Sequence, residues 1–401
     1  MDGTQMATTA KKRGAIYSSM GRPPSGGALS TFSTFIKAQI LKLRKQYPGW
    51  GAKTIHTELR IDPKFSGLKL PSIRTIGLFL KQEGLVDLYD KHIPMPEREI
   101  KLAKRPHQIW QLDAQGGCTL EGIGSIAMIN IKDVYTKTYC MAFPNRKKSI
   151  YGFSKRSDYQ CALRMAFMEH GLPEQIQTDH EGVFHENKGK SPFPTLLHLW
   201  LTALGISQSF SRFNTPTDQG AVERMHQTME KQAIQGIRHP DWESLFNFCQ
   251  SRRRFMNQSF PCAPLNNRAP YEAFAKAKHS GRYYHPQSEK SLLDLNRVYI
   301  FLEKGRWYRR TSKCKSLTLG GQVYYLAKAA PASQCIITFC SKTLMLSFHD
   351  DKEHFIQKLP LKGISKEILS GEVFWKMTNI QLELPLSWET QKVSTTLMHN
   401  N

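Results

Sequence analysis

Ile109-Trp110-Gln111-Leu112-Asp113-Ala114 reads at the two-residue period of a β-strand and carries a carboxylate near its end. Two further strand-like runs follow at 126–133 and 138–143. Gly116-Gly117, Gly122, Gly124 and the Tyr135-Thr136-Lys137 turn separate the three. Residues 157–170 then take a helical period and stop at Gly171. A short strand is expected at 174–178, a helix at 195–204 ending on Gly205, and another strand at 206–209. A long helix over 219–236 precedes a second over 242–256. Three strands followed by alternating helices and strands predict a mixed sheet flanked by helices, an α/β core over residues 107–275.

Working outward, residues 1–30 read as a flexible basic tail rich in Gly, Ser, Thr and Pro. Over 31–86 the pattern becomes helical. Phe35, Ile36, Gln39, Ile40 and Leu43 mark one helix, which Tyr47-Pro48-Gly49 stops. A second, 52–60, carries Ile55 and Leu59. Ser72 is placed to cap a third, which buries Ile73, Ile76, Phe79 and Leu80, points Arg74, Thr75 and Lys81 elsewhere, and stops at Gly84. Three short helices with a basic last one suit an all-α helix-turn-helix domain, whose outward side chains reach base edges and phosphates in a major groove. The alternative is a small bundle that only packs on its neighbour. Residues 87–106 and 276–290 read as linkers. Five β-rich runs, at 298–302, 306–310, 322–326, 334–339 and 343–348, suggest a small β-barrel over 291–350, and 351–401 reads as a C-terminal extension. Trp307, Tyr308, Arg309 and Arg310 fit either DNA contact or barrel core and rim.

The charge is lopsided. Across 401 residues, 56 Lys and Arg face 33 Asp and Glu, a formal net charge of +23. A field of that size favours polyanions, and nucleic acid is the usual partner of a basic protein. Eight cysteines include no Cys-x-x-Cys pair and none before Cys118, which points to reduced thiols and away from a zinc ribbon or disulfide framework. There is no apolar core of signal-peptide length and no 18-residue apolar run, so a cytoplasmic protein without membrane contact is expected.

Asp113 near one strand end, Asp179 after another and Glu223 in the first turns of the long helix can converge beside a sheet. Carboxylate oxygens suit hard divalent cations, and two such ions support in-line phosphoryl displacement. Asp133, Glu181 and Asp218 compete for the role: Asp218 could cap the Glu223 helix, and Asp133 could serve the turn that follows it. Val222, Met225, Met229 and Ala233 form the helix's buried face. Arg224 and Lys231 are set to meet phosphate, and His226 reads as structural or DNA-contacting. Arg252-Arg253-Arg254 suits either a solvated cluster or a DNA-backbone contact.

The runs Trp110-Gln-Leu-Asp113, Thr178-Asp179-His-Glu-Gly-Val-Phe184 and Pro216-Thr-Asp-Gln-Gly-Ala-Val-Glu223-Arg-Met-His226 resemble the three catalytic blocks of bacterial insertion-sequence transposases, of the DDE/retroviral-integrase superfamily. Tyr47-Pro-Gly-Trp-Gly-Ala52 with Pro71-Ser-Ile-Arg-Thr-Ile76 looks like their helix-turn-helix, and Asn267-Arg-Ala-Pro-Tyr-Glu-Ala-Phe274 like the end of their core. The resemblance implies a ribonuclease-H-like core and two Mg²⁺ or Mn²⁺ ions held by Asp113, Asp179 and Glu223. It implies double-stranded DNA partners, namely terminal inverted repeats and a target, a dimer or larger multimer on DNA, and a bacterial, nucleoid-associated setting. Three departures stand out. The second and third acids lie farther apart than in retroviral integrases, which an insertion near 187–194 would explain. His-Glu-Gly follows Asp179 where Asn-Gly or His-Gly is commoner, which keeps Glu181 open as a ligand. The cysteine-free amino terminus cannot form the zinc-binding head of retroviral integrases. The alternatives are a DNA-binding regulator with a decayed core and an endonuclease that joins nothing; a helper ATPase is left open.

Overall fold

The computed structural model describes residues 27–86, 103–147, 152–186, 191–211 and 219–371. Asp218, most of the expected tail and 87–106 linker, and the extension past residue 371 lie outside them. The chain divides into two compact units, Met1–Glu97 with Ile234–Ile237, and Arg98–Ala233 with Arg238–Asn401.

The first unit contains α1 (Thr34–Gln46), α2 (Ala52–Ile61) and α3 (Ile73–Gln82). Their starts follow from local chemistry. Ser33 Oγ accepts from the Ile36 amide, and Ser72 Oγ from the Thr75 amide, each filling one of the acceptor vacancies of a first turn. Ile36, Ile40, Ile55, Leu59, Ile76, Phe79 and Leu80 form the core. Two expected members do not join it: Ile73 is 39% exposed, and Phe35 is 53% exposed and stacks on Phe65 instead. Phe65 itself is buried, on a 3₁₀ turn (Pro63–Phe65) that folds the long α2–α3 connection inward. The Arg44 guanidinium donates to the Leu85 and Trp50 carbonyls, fastening α1 to the segment after α3 and to the α1–α2 loop.

The second unit is built on a five-stranded sheet of β1 (Ile109–Leu120), β2 (Gly124–Asp133), β3 (Tyr139–Arg146), β4 (Gln175–Thr178) and β5 (Ser207–Phe210). Its order is β3-β2-β1-β4-β5. The first three strands form an antiparallel meander, and β4 and β5 add in parallel on the other side of β1. This mixed sheet fits the ribonuclease-H-like core that was expected. Helices α4 (Arg156–His170), α5 (Leu196–Ala203), α6 (Gly220–Ala233) and α7 (Trp242–Gln258) flank it, within a few residues of their expected bounds.

β1 is internal to the sheet, and alternation gives its two faces different demands. One face bears Trp110 and Leu112, both fully buried, with Trp110 against Phe167 of α4. The other bears Gln111 and Asp113, opposite Lys132 and Asn130 of β2. β3 is an edge strand, and α7 covers it with side chains in place of another strand. Trp242 donates to the Pro144 carbonyl and Gln250 to that of Ala142. Asn257 both donates to the Tyr139 carbonyl and accepts from its amide.

The C-terminal region departs from expectation in three ways. Residues 298–302 are helical, inside α8 (Leu295–Glu303), which Asp294 caps by accepting from the Asn296 amide. The following strands are β6 (Arg306–Arg310), β7 (Ser316–Leu319), β8 (Gln322–Tyr325), β9 (Gln334–Cys340), β10 (Met345–His349) and β11 (Phe355–Pro360). They form an open four-stranded antiparallel sheet, β11-β10-β9-β6, and a separate β7-β8 hairpin, so no barrel closes among the described residues. Third, residues 276–290 do not act as a spacer. Tyr284 and Leu293, with Trp307, Ile337 and Phe348, belong to the same buried cluster as Trp110 and Trp200.

A buried ion pair locks that shared core. Glu289 accepts from Arg164 Nε at 2.6 Å and Nη2 at 2.7 Å, from Trp200 Nε1 at 3.1 Å and from the Tyr284 hydroxyl. Arg164 also donates to the carbonyl of Ser370, at the end of α9 (Lys366–Ser370). All eight cysteines are free thiols, with Cys140, Cys161, Cys249 and Cys335 buried. No helix among the described residues is long and apolar enough to cross a membrane. Replacing Glu289 by Ala leaves Arg164 buried without its counter-charge, so urea denaturation of the full chain is expected to show a loss of about 3–5 kcal/mol. A loss below about 1 kcal/mol, the level of a surface pair, would contradict this account of the core.

Candidate active site

Asp113 lies on the polar face of β1, directly opposite Asn130 on β2. His226, on the third residue after Glu223 in α6, joins the two. Its Nε2 is 3.1 Å from Asp113 Oδ2 and its Nδ1 is 2.7 Å from Asn130 Nδ2. With the Asn130 amide donating to Nδ1, the imidazole carries its proton on Nε2 and donates to Asp113. One oxygen of Asp113 is therefore held by α6.

Asp179 follows the last residue of β4, and its Oδ1 accepts from the Glu181 amide at 2.9 Å, an Asx turn that bends the chain away from the strand. Glu181 accepts from the Tyr159 hydroxyl of α4 at 2.6 Å. Glu223 sits in the first turn of α6, where the Ala221 and Val222 amides donate to Gln111 Oε1. The expected inward face of that helix is present: Val222, Met225, Met229 and Ala233 are all buried.

Four carboxyls thus belong to one electrostatic neighbourhood. Burial raises Asp179 above the ordinary aspartate value, and the charge of Asp113 adds to the rise. Burial raises Glu181 in the same way, with Asp179 and Asp113 both contributing. Glu223 is raised by burial and then by Asp113. Oxygen-only donors whose ionisation is penalised by burial and by one another have the chemistry of a hard-cation site. Among the described residues, no group of three or more His, Cys, Asp and Glu is arranged to hold a metal ion.

The rival carboxylate Asp133 has another task. It is fully buried and accepts from the His107 and Thr136 amides and the Thr136 hydroxyl, closing the β2–β3 turn.

The basic residues divide. Arg224 and Lys231 are exposed on α6, Arg74 and Lys81 are exposed on α3, and Thr75 is half-buried with its hydroxyl 2.8 Å from that of Ser72. Arg254 is half-buried. Arg252 and Arg253 are only 5% and 3% exposed, which removes them from a DNA-contacting surface. Arg252 donates to Gln232 at 2.7 Å and lies over the Phe255 ring. Arg253 donates to the Tyr139 and Cys140 carbonyls on the β3 edge and pairs with Glu169 at 2.5 Å. Burial opposes ionisation of Glu169, yet the Arg253 charge holds it below the ordinary glutamate value. Trp307 is buried, and Arg309 pairs with Glu186 at 2.8 Å, so both are structural; Tyr308 and Arg310 are exposed.

The role of Gln111 and the His226–Asp113 contact come from the structure. The signal for the first was present: on a strand, a polar residue two before a carboxylate shares its face.

No family model matches the chain. Among solved structures, it is similar to the HTLV-2 integrase catalytic core domain in complex with magnesium, at 15% identity and a TM-score of 0.32, over 44% of this chain and 99% of that one. It is also similar to a simian T-cell lymphotropic virus intasome in complex with PP2A regulatory subunit B56 gamma, at 12% identity and a TM-score of 0.35, over 78% of this chain and 97% of that one. The BIV integrase catalytic core domain gives 13% identity and a TM-score of 0.31, over 43% of this chain and 96% of that one. At these levels the likeness carries no residue-by-residue correspondence.

Two outcomes follow from the site's geometry. Arg253→Ala uncovers edge carbonyls and strands Glu169, so stability is expected to fall by about 3–5 kcal/mol while DNA affinity of the folded chain is unchanged. A stable variant with weakened DNA binding would restore the surface reading of Arg253. For Asp179, the folded-state value lies above the unfolded one, so ionisation costs stability at neutral pH and costs nothing once both states are protonated. Asp179→Asn keeps the acceptor for the Glu181 amide. It is expected to melt higher than wild type at pH 7 in chelator, by roughly 2–4 °C per 1 kcal/mol recovered. That advantage should vanish as the pH falls below about 3.9, the ordinary aspartate value. Equal melting at pH 7 would refute the penalty.

Proposed function

We propose that this chain cuts and joins DNA as a transposase of the DDE/integrase type, with Asp113, Asp179 and Glu223 as its cation ligands and Glu181 as a neighbouring carboxylate. The observation that carries the reading is the shared neighbourhood of these acids at β1, the end of β4 and the first turn of α6, on a chain of net charge +23. Bound there, Mg²⁺ or Mn²⁺ would supply Lewis-acid activation of an attacking oxygen and stabilise the charge on a leaving one.

The chain's own residues do the rest. His226 orients Asp113 by holding its Oδ2. Arg224 and Lys231, exposed on the helix that carries Glu223, are suited to phosphates flanking the scissile bond. Arg74, Thr75 and Lys81 on α3 are suited to the element's terminal repeats, as the recognition helix of a helix-turn-helix. Attack by water on a phosphodiester at an element end frees a 3′-hydroxyl and leaves a 5′-phosphate. Attack by that hydroxyl on a target phosphodiester forms the new bond and releases a target 3′-hydroxyl. Joining two ends calls for at least two copies of the chain on DNA. The bacterial insertion-sequence assignment rests on the three motif blocks.

The test uses DNA carrying the inverted repeats that flank the gene, with a supercoiled target and Mg²⁺. Nicked and strand-transfer products are expected, and Asp113→Asn or Glu223→Gln should lower both by about 100-fold or more while leaving end binding intact. Variants that cut as well as wild type would show that other groups do the chemistry. End binding should weaken with salt at a log–log slope of roughly −7 if about eight phosphates are neutralised. A flat salt dependence would contradict a charge-driven DNA contact.

A further inference from the structure

We infer that Gln111 is a positioning residue that sets the three carboxylate-bearing segments against one another; the inference rests on the carboxylate reading above. Gln111 is 3% exposed, and both ends of its amide are engaged. Oε1 accepts from the Ala221 amide at 3.2 Å and the Val222 amide at 3.1 Å, while Nε2 donates to Gln177 Oε1 at 3.1 Å. Gln111 and Gln177 are also backbone register partners across the parallel β1–β4 pair.

Each contact lies one step below a carboxylate. Gln111 is two residues before Asp113, Gln177 is two before Asp179, and Val222 immediately precedes Glu223. One buried amide therefore touches β1, β4 and α6, the three carriers of the proposed ligands. First-turn amides have no acceptor within their own helix, and here the acceptor comes from the central strand. The partial positive charge of a helix start favours an oxygen at that point. The cap fixes the start of α6 against β1, and with it the position from which Glu223 approaches Asp113. His226, about one turn further along α6, acts on Asp113 itself.

The prediction separates position from mere folding. In the full chain, Gln111→Met should release the Ala221 and Val222 amides to faster hydrogen exchange. It should also weaken Mn²⁺ binding, and raise the Mg²⁺ needed for half-maximal nicking, by about 10–100-fold. The KM for DNA should stay at the wild-type value, a split that general loss of structure would not give. Gln111→Glu retains the acceptor and should restore protection of both amides. Should Gln111→Met fail to fold, Gln111→Asn keeps the amide but is one methylene too short to reach α6, and the same losses are expected of it. A Gln111→Met or Gln111→Asn chain that folds and keeps wild-type metal dependence overturns the inference alone. A wild-type chain that neither binds Mn²⁺ nor nicks DNA overturns the underlying reading as well.

Discussion

The structure depends on β1 being an internal strand whose two faces need opposite surroundings. On its polar face Gln111 is buried, while Asp113 is only partly so, its side chain 24% exposed. Burying polar groups is costly unless each finds a partner, and those partners come from α6 and from the neighbouring strands. Gln111 accepts from the first-turn amides of α6 and donates to Gln177 Oε1, while His226 bonds to Asp113 and accepts from Asn130. The helix that carries Glu223 is thereby docked by the same polar side chains that make the face costly to bury. On the opposite face, Trp110 packs on Phe167, and Phe167 on Trp200 and Tyr284, in ordinary apolar fashion.

Two further devices hold this sheet in its frame. The β3 edge is closed by Trp242, Gln250, Arg253 and Asn257 of α7, whose donors satisfy carbonyls that another strand would otherwise seek. The C-terminal region is fastened to α4 and α5 through Glu289, Arg164, Trp200 and Tyr284. Rigid support of this kind suits a site whose side chains must be held in place by the elements that carry them.

Much of this was legible in the sequence because it is local. Most helix bounds of the core follow from periodicity and from glycine stops, as at Gly171, and Ser72 announces α3 by its capping chemistry; β1, by contrast, runs on through Gly116-Gly117 to Leu120, so Asp113 lies within the strand and not near its end. What was not legible depends on long-range partners. Val298-Tyr299-Ile300-Phe301-Leu302 suits a strand or a helix equally, and the capping Asp294 just before it was the overlooked sign of a helix. A row of short strands does not reveal whether β6 and β11 meet, and here they remain the two edges of an open sheet. Arg252-Arg253-Arg254 looks like a surface cluster, yet Arg253 is buried because Glu169 and the β3 carbonyls lie within its reach. At the site, Asp113, Asp179 and Glu223 were named from motif blocks, whereas Gln111 and the His226–Asp113 contact emerge only when β1 and α6 are brought together.

The most direct test of the cation-site account is anomalous scattering from crystals of the full chain grown with Mn²⁺ and DNA. The account predicts Mn²⁺ peaks within about 2–2.5 Å of oxygens from Asp113, Asp179 and Glu223. Mn²⁺ held by other residues, or no peak beside Asp113, would contradict it.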